Sequence, residues 1–329
     1  MSLTVCCQWL EPRTKRDGSV VYENSVDEKL LQLGAFKNGK YSQEQIKQTY
    51  IHNVNELLKL VPKLNAANIK SFRMSSNVLP LFEFNEELAK TNTELLNKFK
   101  LLGDMFKKND IRVTCHPGQF AVISSDSDSV IQNTIKELNY HAWMFDQMGF
   151  EHSPYYAINV HGGKRGNVER AIGTINSLPE QTRKRLTLEN DESSYNVVEL
   201  LKIHDKTGTP IVWDSHHHTF NTGNMDISTA CGEAIKTWGN IKPLQHLSNT
   251  EIGLENGSFT ERRKHSYYIS YIPEIQKQLI LENKIDVDVE AKGKNLAVLK
   301  MRKDLGSSVA GTLKYLWGAI FTEILPIRW

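Results

Sequence analysis

The chain has 329 residues, 40% of them hydrophobic and 24% charged, and a formal net charge of +2. These are the values of a soluble globular protein, enough chain for one large α/β domain or two ordinary ones. The charge is too small to declare a nucleic-acid partner or to exclude one, so the position of the cations decides. Four cysteines make no disulfide framework: Cys6 and Cys7 are adjacent, Cys115 lies in a predicted strand and Cys231 in a predicted helix. Reduced thiols and the lack of a signal peptide predict a cytoplasmic protein. The apolar stretch 315–321 is too short to span a bilayer and is expected to dock as a helix.

Short apolar runs predict strands at Leu3–Cys7, Ser71–Met74, Arg112–His116, Tyr156–His161, Arg185–Glu189, Pro210–Asp214, Pro243–Leu247 and Ile285–Glu290. They carry few charges, as strands covered on both faces do. Three- and four-residue apolar steps predict helices at Gln43–Leu64, Asn85–Lys107 and Asp128–Met148. Further helices are predicted at Asn167–Ser177, Ser194–Thr207, Ile227–Trp238 and Pro273–Asn283, with Ser127 and Asp226 as caps. The alternation argues for a single-domain (β/α)8 TIM barrel over residues 1–295, followed by a C-terminal helical tail, 296–329, packed on the barrel. A doubly wound sheet would want a Gly-rich phosphate loop after its first strand. Here that place is taken by Gln8-Trp9-Leu10-Glu11-Pro12.

The strand ends carry the chemistry. The apolar runs end in His116, His161, Glu189, Asp214, His246 and Glu290, and the segments that follow add His217 and His265. Residues at the carboxyl ends of barrel strands converge on one axis. Mixed imidazole and carboxylate donors suit Zn, Mn or Fe, and their number suits two or three ions in a hydrolytic centre. Such ions lower the pKa of bound water, giving hydroxide at neutral pH, and stabilise a leaving oxygen, as phosphodiester cleavage requires. In His116-Pro117-Gly118-Gln119-Phe120 a tight turn presents an amide and an aromatic, suited to probing a base edge and stacking on it. His161-Gly162-Gly163-Lys164-Arg165 pairs a donor with a flexible turn and two cations, suited to a phosphate. Of His216, His217 and His218, not all can face the ions, and Glu290-Ala291-Lys292-Gly293-Lys294 again sets an acid before cations.

At these motifs the sequence resembles the UV damage endonucleases, metal-dependent repair enzymes with a barrel related to endonuclease IV. The matching stretches are Phe72-Arg73-Met74-Ser75-Ser76-Asn77, His116-Pro117-Gly118-Gln119, Val160-His161-Gly162-Gly163, Leu188-Glu189-Asn190-Asp191-Glu192, Asp214-Ser215-His216-His217 and Val289-Glu290-Ala291-Lys292-Gly293-Lys294, in family order. The resemblance implies nicking 5′ to UV photoproducts and other lesions in double-stranded DNA, with a cluster of about three ions, manganese expected and Zn2+ or Fe as alternatives. It implies that damaged nucleotides are flipped, with Gln119 and Phe120 at the gap and Lys164 and Arg165 on the DNA. It assigns His116, His161 and Glu189 to one ion. Glu189 bridges to a second with Asp214, His246 and Glu290, and His217 and His265 help hold a third. Glu189 and Lys292 are the catalytic candidates.

The chain departs from the family pattern in three places. No His follows the second strand, where Glu83 is the candidate substitute. The first strand ends in Val5-Cys6-Cys7-Gln8-Trp9 in place of a Tyr and an Asn, leaving Trp9 as the lesion wedge. Leu244 stands where some members have Lys. The rival readings are an abasic-site endonuclease on the same scaffold, a metal-dependent sugar isomerase and a non-catalytic DNA-binding relic. The expected enzyme is a monomeric, DNA-associated cytoplasmic protein of bacterial or viral type, without a membrane partner.

Overall fold

In the computed structural model, which describes residues 2–306, eight parallel strands close into a barrel. Strand β1 (Ser2–Cys6) leads into a hairpin of β2 (Leu10–Thr14) and β3 (Val20–Asn24). The other staves are β4 (Ser71–Met74), β5 (Arg112–Cys115), β6 (Ile158–His161), β7 (Leu186–Glu189), β8 (Ile211–Asp214), β9 (Leu244–Leu247) and β10 (Asp286–Val289). Each pairs with the next around the ring, and β1 closes it between β10 and β4. All eight predicted strands are present, and the fold is the predicted (β/α)8 barrel.

The outer helices seal the staves. Helix Gln43–Ala66 starts at a capping box of Ser42 and Gln45 and buries Ile46, Tyr50, Val54, Leu57 and Val61. Each such apolar side chain contributes about 1.5–3 kcal/mol relative to exposure. The predicted helix Asn85–Lys107 is instead two, Glu86–Lys90 and Thr93–Lys108. Asn92 breaks it: its side chain accepts from the Leu95 backbone N–H and caps the second helix. Asp226 caps as predicted, accepting from the Ser228 and Thr229 N–H groups. Ser127 occupies the cap position of helix Asp128–Gln147 without bonding its backbone, because its hydroxyl pairs with Ser129. Of the predicted tail, helix Lys294–Asp304 is present and buries Ala297, Val298 and Met301. Residues 307–329 lie outside the described part. No helix among the described residues is long and apolar enough to cross a membrane.

Charged and polar side chains run along the barrel interior from floor to mouth. At the floor, buried Arg112 pairs with Asp286 at 2.8 Å, and its guanidinium lies over the rings of Tyr155 and Trp238. Ala157, Val212, Leu244 and Trp238 cluster at the same end. Leu244, at the position of the family's Lys, is thus a floor residue. Midway, the Thr4 hydroxyl donates to Ser71.

His141, fully buried in helix Asp128–Gln147, has its Nδ1 2.8 Å from the Glu137 carbonyl oxygen and its Nε2 unpartnered. Burial pushes the imidazole down to about 4, only partly offset by the Glu137 carbonyl. In the unfolded chain a histidine titrates near ~6.5 and so takes up its proton first as pH falls. The contribution is therefore present above about pH 6.5 and lost as pH falls toward about 4. Replacing His141 with Leu should shift the stability gap between variant and wild type by about 2 kcal/mol in the variant's favour between about pH 7.5 and about pH 5. Denaturant unfolding at the two pH values measures it, and a constant gap would show that His141 titrates alike in both states.

Candidate metal centre

Strands β6, β7 and β8 end in His161, Glu189 and Asp214. His116 follows β5 by one residue, Glu290 follows β10 by one, and His246 lies within β9. The ladders set neighbours side by side: His161 registers with Glu189, and Asp214 with His246. Six donors far apart in sequence meet at one mouth because the strands that carry them are parallel and equally short.

Glu189 is the hub. It is 1% exposed. Its Oε2 lies 3.0 Å from His116 Nε2 and 3.1 Å from His246 Nδ1, and its Oε1 lies 3.1 Å from His217 Nδ1. The Asn159 amide donates to Oε2 at 2.6 Å and is itself held by the Thr187 hydroxyl. Burial alone would raise this carboxyl. The imidazoles of His246 and His161 and the hydrogen bonds of His116 and His217 outweigh it and hold Glu189 well below the usual carboxylate range. Glu290 is likewise held low against burial, chiefly by Arg73, whose guanidinium pairs with it.

His217 arrives by another route. One oxygen of Asp214 accepts from the backbone N–H groups of His216 and His217, at 2.7 and 2.8 Å, and so starts the short helix Ser215–Phe220. That helix sets His217 over Glu189. Burial opposes its protonation, but Asp214 and Glu189 raise it well above the ordinary histidine value. His216 turns edge-on to Phe220, and His218 packs near Trp213 with its Nε2 3.1 Å from the Met225 carbonyl. Only one of the three consecutive imidazoles joins the hub.

Three overlapping donor sets result: His116, His161 and Glu189; Glu189, Asp214 and His217; Asp214, His246 and Glu290. Within each set, donor atoms lie within 4.8 Å of one another. Several atoms in them are buried without a hydrogen-bond partner, namely Asp214 Oδ2, His161 Nδ1 and His246 Nδ1. Unpaired donors of borderline character, converging on shared points, fit divalent transition ions. Two grooves flank the sets. One is lined by His116, Gln119, His161, Lys164, Asp191 and Arg263. The other is lined by Cys7, Gln8, Arg73, Asn77, His116 and Glu290.

A family model described as UV-endonuclease UvdE matches residues 22–314. The chain belongs to the UV-endonuclease family. It is 32% identical over 268 residues to a UV DNA damage endonuclease of Nostoc sp., covering 79% of this chain and 80% of that protein. To a UV DNA damage endonuclease of Bacillus velezensis it is 30% identical over 279 residues, covering 82% and 84%. The crystal structure of SacUVDE matches with a TM-score of 0.75 at 26% identity, over 93% of this chain and 99% of that one.

Against this UV-endonuclease frame, the predicted site residues fall into groups. His116, His161, Glu189, Asp214, His217, His246 and Glu290 come together. His265 stands beside them, its Nδ1 3.8 Å from Glu290 Oε2, and joins none of the three donor sets. Gln119 is exposed beside the first set, and Phe120 is 83% exposed. Lys164 and Arg165 are exposed on the next loop, with Lys164 paired to Asp126. Gly162 and Gly163 permit that loop: a Cβ on Gly162 would lie 2.4 Å from the Tyr195 ring, and Gly163 holds φ +99°. Lys292 is half-exposed and pairs with Glu251 at 2.9 Å.

Trp9, expected at the lesion, is 4% exposed and packs in the core, and the segment after the first strand presents Cys7 and Gln8 to the mouth. Glu83 is exposed on the turn Phe82–Phe84 and belongs to no donor set. Arg73, Asn159 and Asp288, which close no apolar run, also touch the cluster. Asn159 and Asp288 lie two residues before a donor on the same strand, so the two-residue alternation of strands places them on the same face.

Thermal unfolding of the chelated protein, repeated with Mn2+ or Zn2+ added, should show a metal-dependent rise in midpoint. Glu189→Gln should remove most of that rise, and an equal rise in both proteins would detach Glu189 from the ions.

Proposed function

We propose that this chain is a metal-dependent DNA repair endonuclease that nicks the phosphodiester 5′ to UV photoproducts and other lesions, leaving a 3′-hydroxyl and a 5′-phosphate. The observation that carries the reading is the set of three donor groups sharing Glu189 and Asp214 at the mouth of a UV-endonuclease-family barrel. The relatives of Nostoc and Bacillus velezensis, both UV DNA damage endonucleases, supply the substrate class.

His116, His161 and Glu189 would hold one ion. Glu189 with Asp214, His246 and Glu290 would hold a second, and His217, with His265 nearby, would complete a third. Manganese is the expected ion, with zinc or iron as alternatives. When bound, such ions supply a hydrolytic nucleophile at neutral pH and positive charge for the leaving oxygen.

The protein's own residues do the rest. Phe120, almost wholly exposed, is placed to enter the stack, and Gln119 beside it to read the edge of the base across the gap. Lys164 and Arg165 line the approach for phosphates, with Lys164 exchanging Asp126 for the DNA backbone. Lys292, once released from Glu251, is the candidate to accompany charge developing at the reacting phosphate. Local contacts of this kind make a net charge of +2 compatible with DNA binding. We place the enzyme with DNA in the cytoplasm, as a monomer.

A nicking assay tests the reading, on duplexes carrying a photoproduct, an abasic analogue or no lesion, with Mn2+ added and withdrawn. The photoproduct duplex should be cut only with metal. No cutting of any duplex under any metal would overturn the reading, and preference for the abasic duplex would move the substrate. Glu189→Gln should fold and lose activity by at least about 100-fold. Phe120→Ala should weaken binding to the lesion duplex by roughly 5- to 100-fold, with a smaller effect on intact duplex, since one base–aromatic stack is worth ~1–3 kcal/mol. Fluorescence anisotropy without metal measures both, and equal losses on the two duplexes would make Phe120 a general contact.

A further inference from the structure

The two ring nitrogens of His246 face opposite ways along the barrel axis. Nδ1 looks up to the donor cluster, 3.1 Å from Glu189 Oε2 and 3.3 Å from Glu290 Oε1. Nε2 looks down, 3.4 Å from Oδ2 of Asp288. Asp288 is 0% exposed and lies inside the barrel, in register with His246 on one side and Thr4 on the other. Neither of its oxygens has a hydrogen-bond partner, and Arg73, 3.7 Å away, also pairs with Glu290.

A buried carboxylate without hydrogen bonds is costly to keep. Two other histidines of the cluster set one ring nitrogen against a backbone carbonyl. His116 has its Nδ1 3.0 Å from the Pro117 carbonyl oxygen, and His217 has its Nδ1 3.0 Å from that of Asn190. For Nε2 of His246, Asp288 is the acid within reach.

Resting on the metal-centre reading above, we infer that Asp288 is a positioning residue for His246. It accepts a hydrogen bond from Nε2–H, fixes the tautomer that leaves Nδ1 bare, and aims that nitrogen at the donor set it forms with Asp214 and Glu290. A ligating imidazole that donates its other N–H to a carboxylate is better oriented and more basic, and loss of such a partner costs about 10- to 100-fold in metal affinity. Arg73 completes the device. It lies between Asp288 and Glu290 and pairs with both acids.

The test is Mn2+ binding to the full chain, by titration calorimetry and by metal content after gel filtration, for wild type, Asp288→Val and Asp288→Asn. The Val variant should bind one ion about 10- to 100-fold more weakly. The Asn variant keeps an acceptor oxygen and should lose less than about 10-fold. The metal-induced rise in unfolding temperature should be smaller in the Val variant than in the wild type. Unchanged affinity in the Val variant, or an equal loss of stability with and without metal, overturns the inference. If the Val variant does not fold, unchanged affinity of the Asn variant together with an unchanged metal-induced rise overturns it. A wild type that binds no ion would refute the metal-centre reading itself, an outcome distinct from either.

Discussion

A carboxylate taken out of water survives as an anion only where charge and protons are brought to it. Glu189 is that carboxylate, and the upper half of the molecule is arranged around it. Three imidazole nitrogens and one amide lie within 3.1 Å of its two oxygens, and they come from β5, β6, β9 and the turn after β8. No single helix or hairpin delivers groups from so many directions. A closed ring of short parallel strands does, because each stave ends at the same height with its last inward side chain on the axis.

The remainder of the axis is also written in charge. Arg112 and Asp286 close the floor, with Lys242 2.7 Å from the other oxygen of Asp286. Asp288 sits midway, Arg73 above it, and the donor cluster at the mouth. Cations and anions alternate along the barrel, so no level carries a charge without a counter-charge above or below it. Hydrophobic stabilisation comes from outside this column, where the outer helices bury their apolar faces against the outward sides of the staves.

Much of this was legible in the sequence, and for a physical reason. A polar residue closing an apolar run breaks the pattern of a strand covered on both faces, so His116, His161, Glu189, Asp214, His246 and Glu290 stand out without coordinates. Residues inside the runs do not. Asn159 and Asp288 sit inside their runs, where only the alternation of side chains along a strand shows that they share its inner face. The hairpin β2–β3 was missed because its strands are mostly exposed and have no apolar run to mark them, although Asp17-Gly18 supplies a turn signal. Trp9 was placed at the lesion from its position after the first strand. The chain turns there, and an indole beside an apolar core is drawn inward.

Asp214 serves two masters at once. One oxygen is committed to the helix that begins at Ser215, while the other stands free among the donors. The helix therefore acts as a clamp on the rotation of the acid, and a guest cation finds a single oxygen offered from a set bearing. Large, hard cations such as calcium favour carboxylates that can give both oxygens in a loose shell. An acid with one hand already occupied would suit a smaller guest with a tighter, nitrogen-rich shell, so in the proposed centre selectivity among ions would begin in the capping of a six-residue helix.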